Sequence, residues 1–250
     1  MLTKTRAIVL RSFRYGEQKV IADMLTETDG RMSFVVTVGS ASRGGRSRGG
    51  KVQKQLLQPL MMLEIEADIR PQSQLQKLRE VRMTHPYSSI PFDARKLSIT
   101  LFLAEFIYYG TRAEQQNELL FAYIENSILW LDSCCGSFAN FHLVFMMRLT
   151  RFIGFFPNID NYEEGDFFDL RAAAFSHAAP LHPDFLTPAD AARIRTLMRM
   201  NYDSMHLFRM NHDERNRIVD VLLHYYRLHV PGFPELRSLD VLKELWADAD

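Results

Sequence analysis

A glycine-rich stretch between residues 39 and 54 carries the residue types that handle phosphate. It holds five cations and no carboxylate, namely Arg43, Arg46, Arg48, Lys51 and Lys54. Its second half comes close to the P-loop, in which backbone amides and a lysine cradle a nucleotide. Val52, however, stands where that loop needs a hydroxyl for magnesium, so nucleotide hydrolysis is not indicated. We interpret the stretch as a backbone-tracking loop for polynucleotide phosphates, with a solvated loop of no special purpose as the alternative.

Arginines and aromatic residues alternate in a segment before this loop. Arg11, Phe13 and Tyr15 fall on one face of a predicted strand, and Arg6 and Arg14 flank it. Rings interleaved with arginines are typical of platforms on which unpaired bases stack. Because apolar side chains on strands usually point inward, the expectation for Phe13 is the core, and an exposed ring is the alternative.

Other reactive side chains do not assemble into a catalytic pattern. The eight histidines lack zinc-ligand spacing, and the adjacent Cys134 and Cys135 have no basic partner nearby in the sequence. The acidic residues between 160 and 169 do not follow a calcium loop. We therefore predict no catalytic residue, no metal and no cofactor.

The charge of the chain is balanced overall but not along its length. Basic and acidic residues number 30 each, yet residues 1–55 carry 11 basic against 4 acidic side chains. This excess predicts a surface that faces a polyanion. Arginines interrupt any N-terminal secretory signal, and the most apolar helical stretch, residues 97–109, is shorter than the roughly 20 residues that span a bilayer. We expect a cytoplasmic protein that does not engage membrane.

Short runs with period-two alternation fill the first 84 residues. We predict five strands, at residues 3–15, 18–27, 31–38, 57–69 and 75–83. Asp29-Gly30 favours a tight hairpin between the second and third strands. This pattern predicts a five-stranded OB-type β-barrel, with a five-stranded sandwich as the alternative.

From residue 92 the apolar spacing changes to three or four, which is typical of helices. The chain is therefore predicted to be an α+β multidomain protein. An OB-fold nucleic-acid-binding domain would occupy residues 1–84, and an all-helical domain residues 85–250. Residues 158–186 show no period and carry several acids, so we expect an acidic, irregular connector there.

One predicted helix combines an aromatic stripe with arginines. Phe141 and Phe145 follow the apolar spacing, and Arg148 and Arg151 lie beside them. An apolar groove edged by arginines suits a short acidic peptide with a terminal carboxylate. A core helix whose arginines are only solvated is the alternative.

The order of these features resembles the RecO family of bacterial recombination mediators. The first segments similar to that family are TRAIVLRSFRYGEQ from Thr5, TETDGR from Thr26 and QPL from Gln58. Further similar segments are FHLVFMMRLTRFIG from Phe141, Phe156-Pro157, His229 and SLDVL from Ser238. The likeness covers most of the chain and rests on the order and spacing of these segments.

The resemblance implies an OB domain that binds single- and double-stranded DNA, and a helical domain that docks the C-terminal tail of single-stranded DNA-binding protein. It also implies partnership with RecR, loading of RecA, annealing of complementary strands, and association with the nucleoid. By position, the DNA-binding residues would be Arg6, Arg11, Arg14, Arg31, Arg43, Arg46, Arg48, Lys51 and Lys54. The tail-binding residues would be Phe141, Phe145, Arg148, Arg151 and Phe155.

The sequence departs from the family between Asn158 and Pro183. Many members carry a four-cysteine zinc module there, whereas this stretch has no cysteine, so we predict that the zinc module is absent. Two other functions remain open. One is an OB-type RNA-binding or translation-associated adaptor. The other is a nucleotidyl-processing enzyme, which is disfavoured because the sequence shows no acid pair or metal cluster in the basic domain.

Overall fold

The structure is a computed structural model that describes residues 2–39, 51–70, 72–112, 114–160 and 162–245. The chain opens with strands and then changes to helices. The first sheet consists of β1 (Leu2–Arg14), β2 (Lys19–Thr26), β3 (Gly30–Val38), β4 (Lys51–Val52), β5 (Met62–Asp68) and β6 (Leu75–Met83).

Five of these strands close into a barrel. Their order is β2-β1-β5-β6-β3, and β3 pairs back with β2, so the sheet closes on itself. β3 runs parallel to β6, while the other barrel pairs are antiparallel. This order and pairing are those of the OB fold. The predicted barrel is therefore confirmed, and the sandwich is excluded.

Alternation along the strands fills the barrel with apolar side chains. Val9, Met24, Phe34 and Ile65 are all fully buried in one core cluster. The hairpin between β2 and β3 ends at Gly30, whose φ of 68° lies in the left-handed region. A Cβ at this position would come within 2.9 Å of the Gln115 backbone, so glycine is required there.

The fourth barrel strand starts later than the predicted residue 57. Lys54–Leu57 form a turn of 3-10 helix instead, and Leu60 has a φ of 59°, which interrupts the extended chain. The Leu60 N–H donates to the Val9 carbonyl at 2.6 Å, and the Tyr87 hydroxyl donates to the Leu60 carbonyl. These tertiary hydrogen bonds delay the strand, and alternation along the sequence does not register them.

Beyond residue 90 the described chain is mainly helical, as predicted. The helices are α1 (Ala94–Gly110), α2 (Glu118–Ser133), α3 (Phe141–Leu149), α4 (Pro188–Arg199), α5 (His212–His229) and α6 (Ser238–Leu245). Asp93 begins α1 by accepting the backbone N–H groups of Arg95 and Lys96. Asn211 and Glu214 form a capping box at the start of α5.

Residues 158–186 were expected to form an irregular connector, but this expectation is wrong, because the segment contains a three-stranded antiparallel sheet. In it β7 (Phe167–Asp169) lies between β8 (Ala174–Ser176) and β9 (Phe185–Leu186). Phe168 is buried and packs against Phe175 and Tyr225. Strands of two or three residues are too short to show alternation, which is why the sequence pattern missed them.

Backbone contacts divide the chain into two compact units. The first comprises residues 1–133 with 236–242, and the second comprises residues 134–235 with 243–250. The barrel thus shares a unit with α1 and α2, whereas the sequence placed a boundary at residue 84, where strands give way to helices. The predicted division into domains at residues 1–84 and 85–250 stays a prediction.

In the first unit, Asp132 at the end of α2 fixes the segment that leads from β6 into α1. Its carboxylate accepts the backbone N–H groups of Ser88 at 2.8 Å, Ser89 at 2.9 Å and Ile90 at 3.0 Å. Burial opposes ionisation of this carboxyl, but the three N–H donors outweigh it and hold the pKa of Asp132 well below its usual range. Asp132 is therefore an ionised anchor at neutral pH.

In the second unit, α3 carries a buried histidine. His142 is 3% exposed, and its burial together with the charge of Arg215 lowers its pKa to about 3. Histidine in an unfolded chain titrates near pH 6.5. The unfolded state therefore binds more protons than the folded state between these values. The stability that neutral His142 permits is fully present above pH 6.5 and is lost as the pH falls toward 3.

We expect the free energy of unfolding to fall by roughly 2 kcal/mol between pH 7.5 and pH 5 through His142, because each pH unit below 6.5 costs about 1.4 kcal/mol. Urea unfolding at the two pH values measures the change. His142→Leu, with His142→Gln as a second variant, should remove this part of the acid sensitivity. Variants that stay as acid-sensitive as the parent would contradict the assignment.

Candidate nucleic-acid interface

The outward face of β1, β2 and β3 carries side chains suited to a nucleic acid. The strand registers place Phe13 beside Ile21, and Ile21 beside Val35. Phe13 is 44% exposed, so its expected place in the core is wrong. A register shift between Val9 and Arg11 explains the difference. The extra residue of this bulge reverses which positions of β1 face the core, so Arg11 and Phe13 point outward.

A second exposed aromatic residue, Tyr15, lies in the turn between β1 and β2. Tyr15 is 55% exposed, and its backbone N–H donates to the Lys19 carbonyl at 2.9 Å. Lys19 itself is exposed. The turn thus places a second ring and a cation next to Phe13.

Two arginines of the face clamp Tyr108 of α1. The guanidinium carbon of Arg11 lies 3.9 Å from the centre of the Tyr108 ring, and that of Arg31 lies 4.7 Å from it. Arg31 also donates to the Tyr108 carbonyl at 2.7 Å. On its other side, Arg11 Nε donates to the buried carboxylate of Asp23 at 2.6 Å. Both arginines therefore lie at this face in fixed positions, and DNA binding by them stays a prediction.

Arg6 is engaged by two carboxylates. Its guanidinium bridges Glu27, next to β2, and Glu125 of α2, with nitrogen–oxygen distances of 2.5 to 2.9 Å. The hydrogen bonds that Arg6 donates to the Glu27 carboxylate raise the pKa of Arg6 and lower the pKa of Glu27. This network links the barrel to α2. A phosphate contact by Arg6 stays a prediction and would have to displace these carboxylates.

Three other cations are exposed and available. Arg14, Lys19 and Lys77 form no side-chain ion pair with another residue in the described part of the chain. Lys77 of β6 lies beside Val35 through the parallel pairing of β3 with β6. Lys19 and Lys77 were not predicted. Alternation marks both as outward, but only the strand pairing brings Lys77 to this face.

The basic glycine-rich loop is seen only in part. Arg43, Arg46 and Arg48 lie outside the residues that the structure describes. Lys51 begins β4, which pairs with the end of β3. Lys54 is exposed and lines a cavity of about 510 Å³ together with Ser12, Gly39, Gln55, Leu57, Gln58 and Pro59. Phosphate binding by these five cations stays a prediction.

The residues expected to bind an acidic tail occupy different environments in the second unit. Phe141 and Phe145 are fully buried, so they do not line a surface groove. Arg148 donates to the Met200 carbonyl through Nε and Nη2. Arg151 is exposed and lies 4.0 Å from the Phe156 ring centre.

Phe155 stacks on His229 with ring centres 5.0 Å apart. Of the five residues in the set, Arg151 is exposed, and Arg148 and Phe155 are partly exposed.

Within the described ranges, no cluster of three or more His, Cys, Asp or Glu side chains could hold a metal ion. Over the same residues, no helix is both long and apolar enough to cross a bilayer. What the outward face offers is aromatic surface and positive charge, which suit stacking and phosphate neutralisation.

A barrel of this order with such a face defines an OB-type nucleic-acid-binding protein. The family model described as Recombination protein O N terminal matches residues 1–87, and the model described as Recombination protein O C terminal matches residues 91–240. The chain therefore belongs to the RecO family, which confirms the resemblance.

Similar proteins extend over the whole chain. The DNA repair protein RecO of Phocaeicola vulgatus is 51% identical over 247 residues, covering 99% of this chain and all of the relative. The RecO protein of Bacteroides fragilis is also 51% identical, over 98% of this chain and all of the relative. The RecO protein of Flavobacterium psychrophilum is 32% identical over 248 residues, which cover 99% of this chain and all of the relative. Family membership supports a role in DNA repair and recombination.

Proposed function

We propose that this chain is a non-enzymatic mediator of DNA repair and recombination that binds single-stranded DNA through one face of its barrel. This surface, the OB face, consists of Arg11, Phe13, Tyr15, Lys19, Ile21, Arg31, Val35 and Lys77. The observation that carries the proposal is the combination of exposed rings at Phe13 and Tyr15 with the unpaired cations Lys19 and Lys77.

The rings and the cations serve different parts of the polymer. Unpaired bases present flat faces to Phe13 and Tyr15, while the lysines neutralise phosphates. A duplex hides those flat faces, so double-stranded DNA would rely on the cations. The face therefore supports binding of both forms, with a preference for single strands.

Further partners are proposed from the family. They are the C-terminal tail of single-stranded DNA-binding protein, RecR and, indirectly, RecA, with strand annealing and nucleoid association as parts of the same role. Arg151 and Phe155 mark the surface that we propose for the acidic tail, because Phe141 and Phe145 are enclosed. A basic side chain beside an aromatic ring suits a carboxylate-terminated peptide.

We expect the double variant Lys19→Ala/Lys77→Ala to bind a labelled single-stranded oligonucleotide roughly twentyfold more weakly at 0.1 M salt, because two phosphate contacts are lost at about 0.7 logarithmic units each. The slope of log affinity against log salt should flatten by about 1.4. Fluorescence anisotropy over a salt series measures both, and unlabelled RNA as competitor reports whether DNA is preferred.

Arg6→Ala is the contrasting variant. Because Glu27 and Glu125 hold Arg6, we expect the variant to lose thermal stability while it keeps the salt slope of the parent. A flatter slope would show instead that Arg6 contacts phosphate. Binding of a peptide that copies the acidic tail should survive in the lysine variant. Equal loss of DNA and peptide binding in a folded lysine variant, or an unchanged DNA affinity, would contradict the proposal.

A further inference from the structure

We propose that Asp23 is a specificity-determining residue, which reserves Arg11 for contact with bases and keeps it from binding phosphates. This inference rests on the proposed function and concerns the same OB face. It assigns to a buried carboxylate in the middle of a DNA-binding surface a role that its negative charge would not suggest.

Asp23 holds Arg11 from the barrel side. The two residues are directly paired across β1 and β2, and Arg11 Nε donates to Asp23 Oδ2 at 2.6 Å. The Ser33 hydroxyl, from β3, donates to Asp23 Oδ1 and fixes the carboxylate in turn. The Asp23 side chain is only 6% exposed, so a phosphate would have to remove it from beneath Arg11.

Two aromatic rings also contact Arg11, whose side chain is still 46% exposed. Its guanidinium carbon lies 3.9 Å from the Tyr108 ring centre and 5.4 Å from the Phe13 ring centre. Tyr108, Arg11 and Phe13 therefore form a row of adjacent planar groups. Guanidinium planes and aromatic rings both stack on nucleobases. The row suits unpaired bases better than it suits a phosphate chain.

The ion pair also balances the charge of Arg11 with that of Asp23. A cation that is already balanced by a buried carboxylate neutralises a phosphate less, so it releases fewer of the counterions condensed on DNA and adds little to the salt dependence of binding. Without the carboxylate, the same guanidinium becomes a free cation. Asp23 thus determines whether Arg11 contacts bases or phosphates.

The test is Asp23→Asn in the full-length protein, measured on matched single- and double-stranded oligonucleotides over a salt series. The released Arg11 should add one phosphate contact, which steepens the salt slope by about 0.7 for single strands and about 0.9 for duplex. Duplex affinity at 0.1 M salt should rise roughly fivefold to tenfold, and the preference for single strands should fall. An unchanged or flatter slope would overturn the inference.

Three further variants make the result specific. Asp23→Asn/Arg11→Ala should lose the added slope, since the effect acts through Arg11. Glu64→Gln is the control outside the OB face. It removes the carboxylate that pairs with Lys4 at a nitrogen–oxygen distance of 3.1 Å, and it should leave the preference for single-stranded over double-stranded DNA unchanged. If Asp23→Asn fails to fold, Ser33→Ala weakens the same anchor and should shift the preference in the same direction.

The same series separates this inference from the proposed function. Loss of binding in Lys19→Ala/Lys77→Ala, together with an unchanged slope in Asp23→Asn, would leave the OB face in place and remove only the role of Asp23. Lysine variants that bind as the parent does would overturn the interface itself.

Discussion

Replacing Phe13 and Tyr15 together by alanine should weaken binding of a single-stranded oligonucleotide about thirtyfold or more. Both rings are about half exposed on the OB face, and neither is part of the barrel core. Stacking contributes about 1–3 kcal/mol per base, so two rings account for about 2–6 kcal/mol, and the lower figure corresponds to about thirtyfold. Fluorescence anisotropy or calorimetry at a fixed salt concentration measures the loss.

The distribution of that loss identifies its cause. Duplex affinity should change by less than about threefold, because paired bases do not offer their faces to the rings. Phe92→Ala is a matched control, since Phe92 is 84% exposed but lies in a 3-10 turn outside the OB face. An equal loss on both forms of DNA, or the same loss in the control, would show that the rings do not act by stacking on bases.

The barrel could be predicted because its signals are local. Alternation in β3 and β5, the Asp29-Gly30 turn and the shift from period two to period three or four each lie within a few residues of sequence. The structure confirms the barrel and the helical remainder. The sheet of β7, β8 and β9 was not predicted, because its strands have only two or three residues. Its buried Phe168 is positioned by tertiary packing against Tyr225, which no local pattern shows.

The candidate site was predictable only in part. Arg11 and Arg31 were expected at the face, but their clamp on Tyr108 joins residues about 80 to 100 positions apart in the chain, and no local pattern reports it. The bulge near Val9 reversed the expected side for Phe13. From the sequence, Arg6 and Arg14 were equally good candidates for DNA binding. In the structure Arg6 pairs with Glu27 and Glu125, whereas Arg14 is exposed.

Tyr108 places α1 beside the proposed interface. Tyr108 contacts both arginines of the OB face, so the position of α1 on the barrel sets the geometry of the stacking row. That position depends on the segment between β6 and α1, and Asp132 holds the segment through three backbone N–H groups. Asp132, which lies outside the OB face, is thus coupled to this proposed interface through packing within the first unit.

Asp132→Asn should therefore destabilise the protein by about 3 kcal/mol. The amide would present its NH₂ group to at least one of the buried N–H donors, leaving that donor unsatisfied, and it would lose the stronger hydrogen bonds that an ionised acceptor makes. For a chain of this size we expect the melting temperature to fall by roughly 6–10 °C. Differential scanning calorimetry measures the change, and single-strand affinity should fall as Tyr108 loses its fixed position.

Asp93→Asn is the appropriate comparison. It makes the same chemical change in the same unit, but asparagine caps a helix about as well as aspartate, so α1 should lose less than about 0.5 kcal/mol. The depressed pKa of Asp132 keeps its carboxylate ionised down to strongly acidic pH. Its contribution is present above the unfolded-state value of about 3.9 and is lost as the pH falls from there through the lower folded-state value. The difference between Asp132→Asn and the parent should therefore be constant from pH 8 to pH 5, the interval over which His142 weakens the parent. A difference that shrinks over this interval, or an unchanged melting temperature, would show that Asp132 does not hold α1 against the barrel.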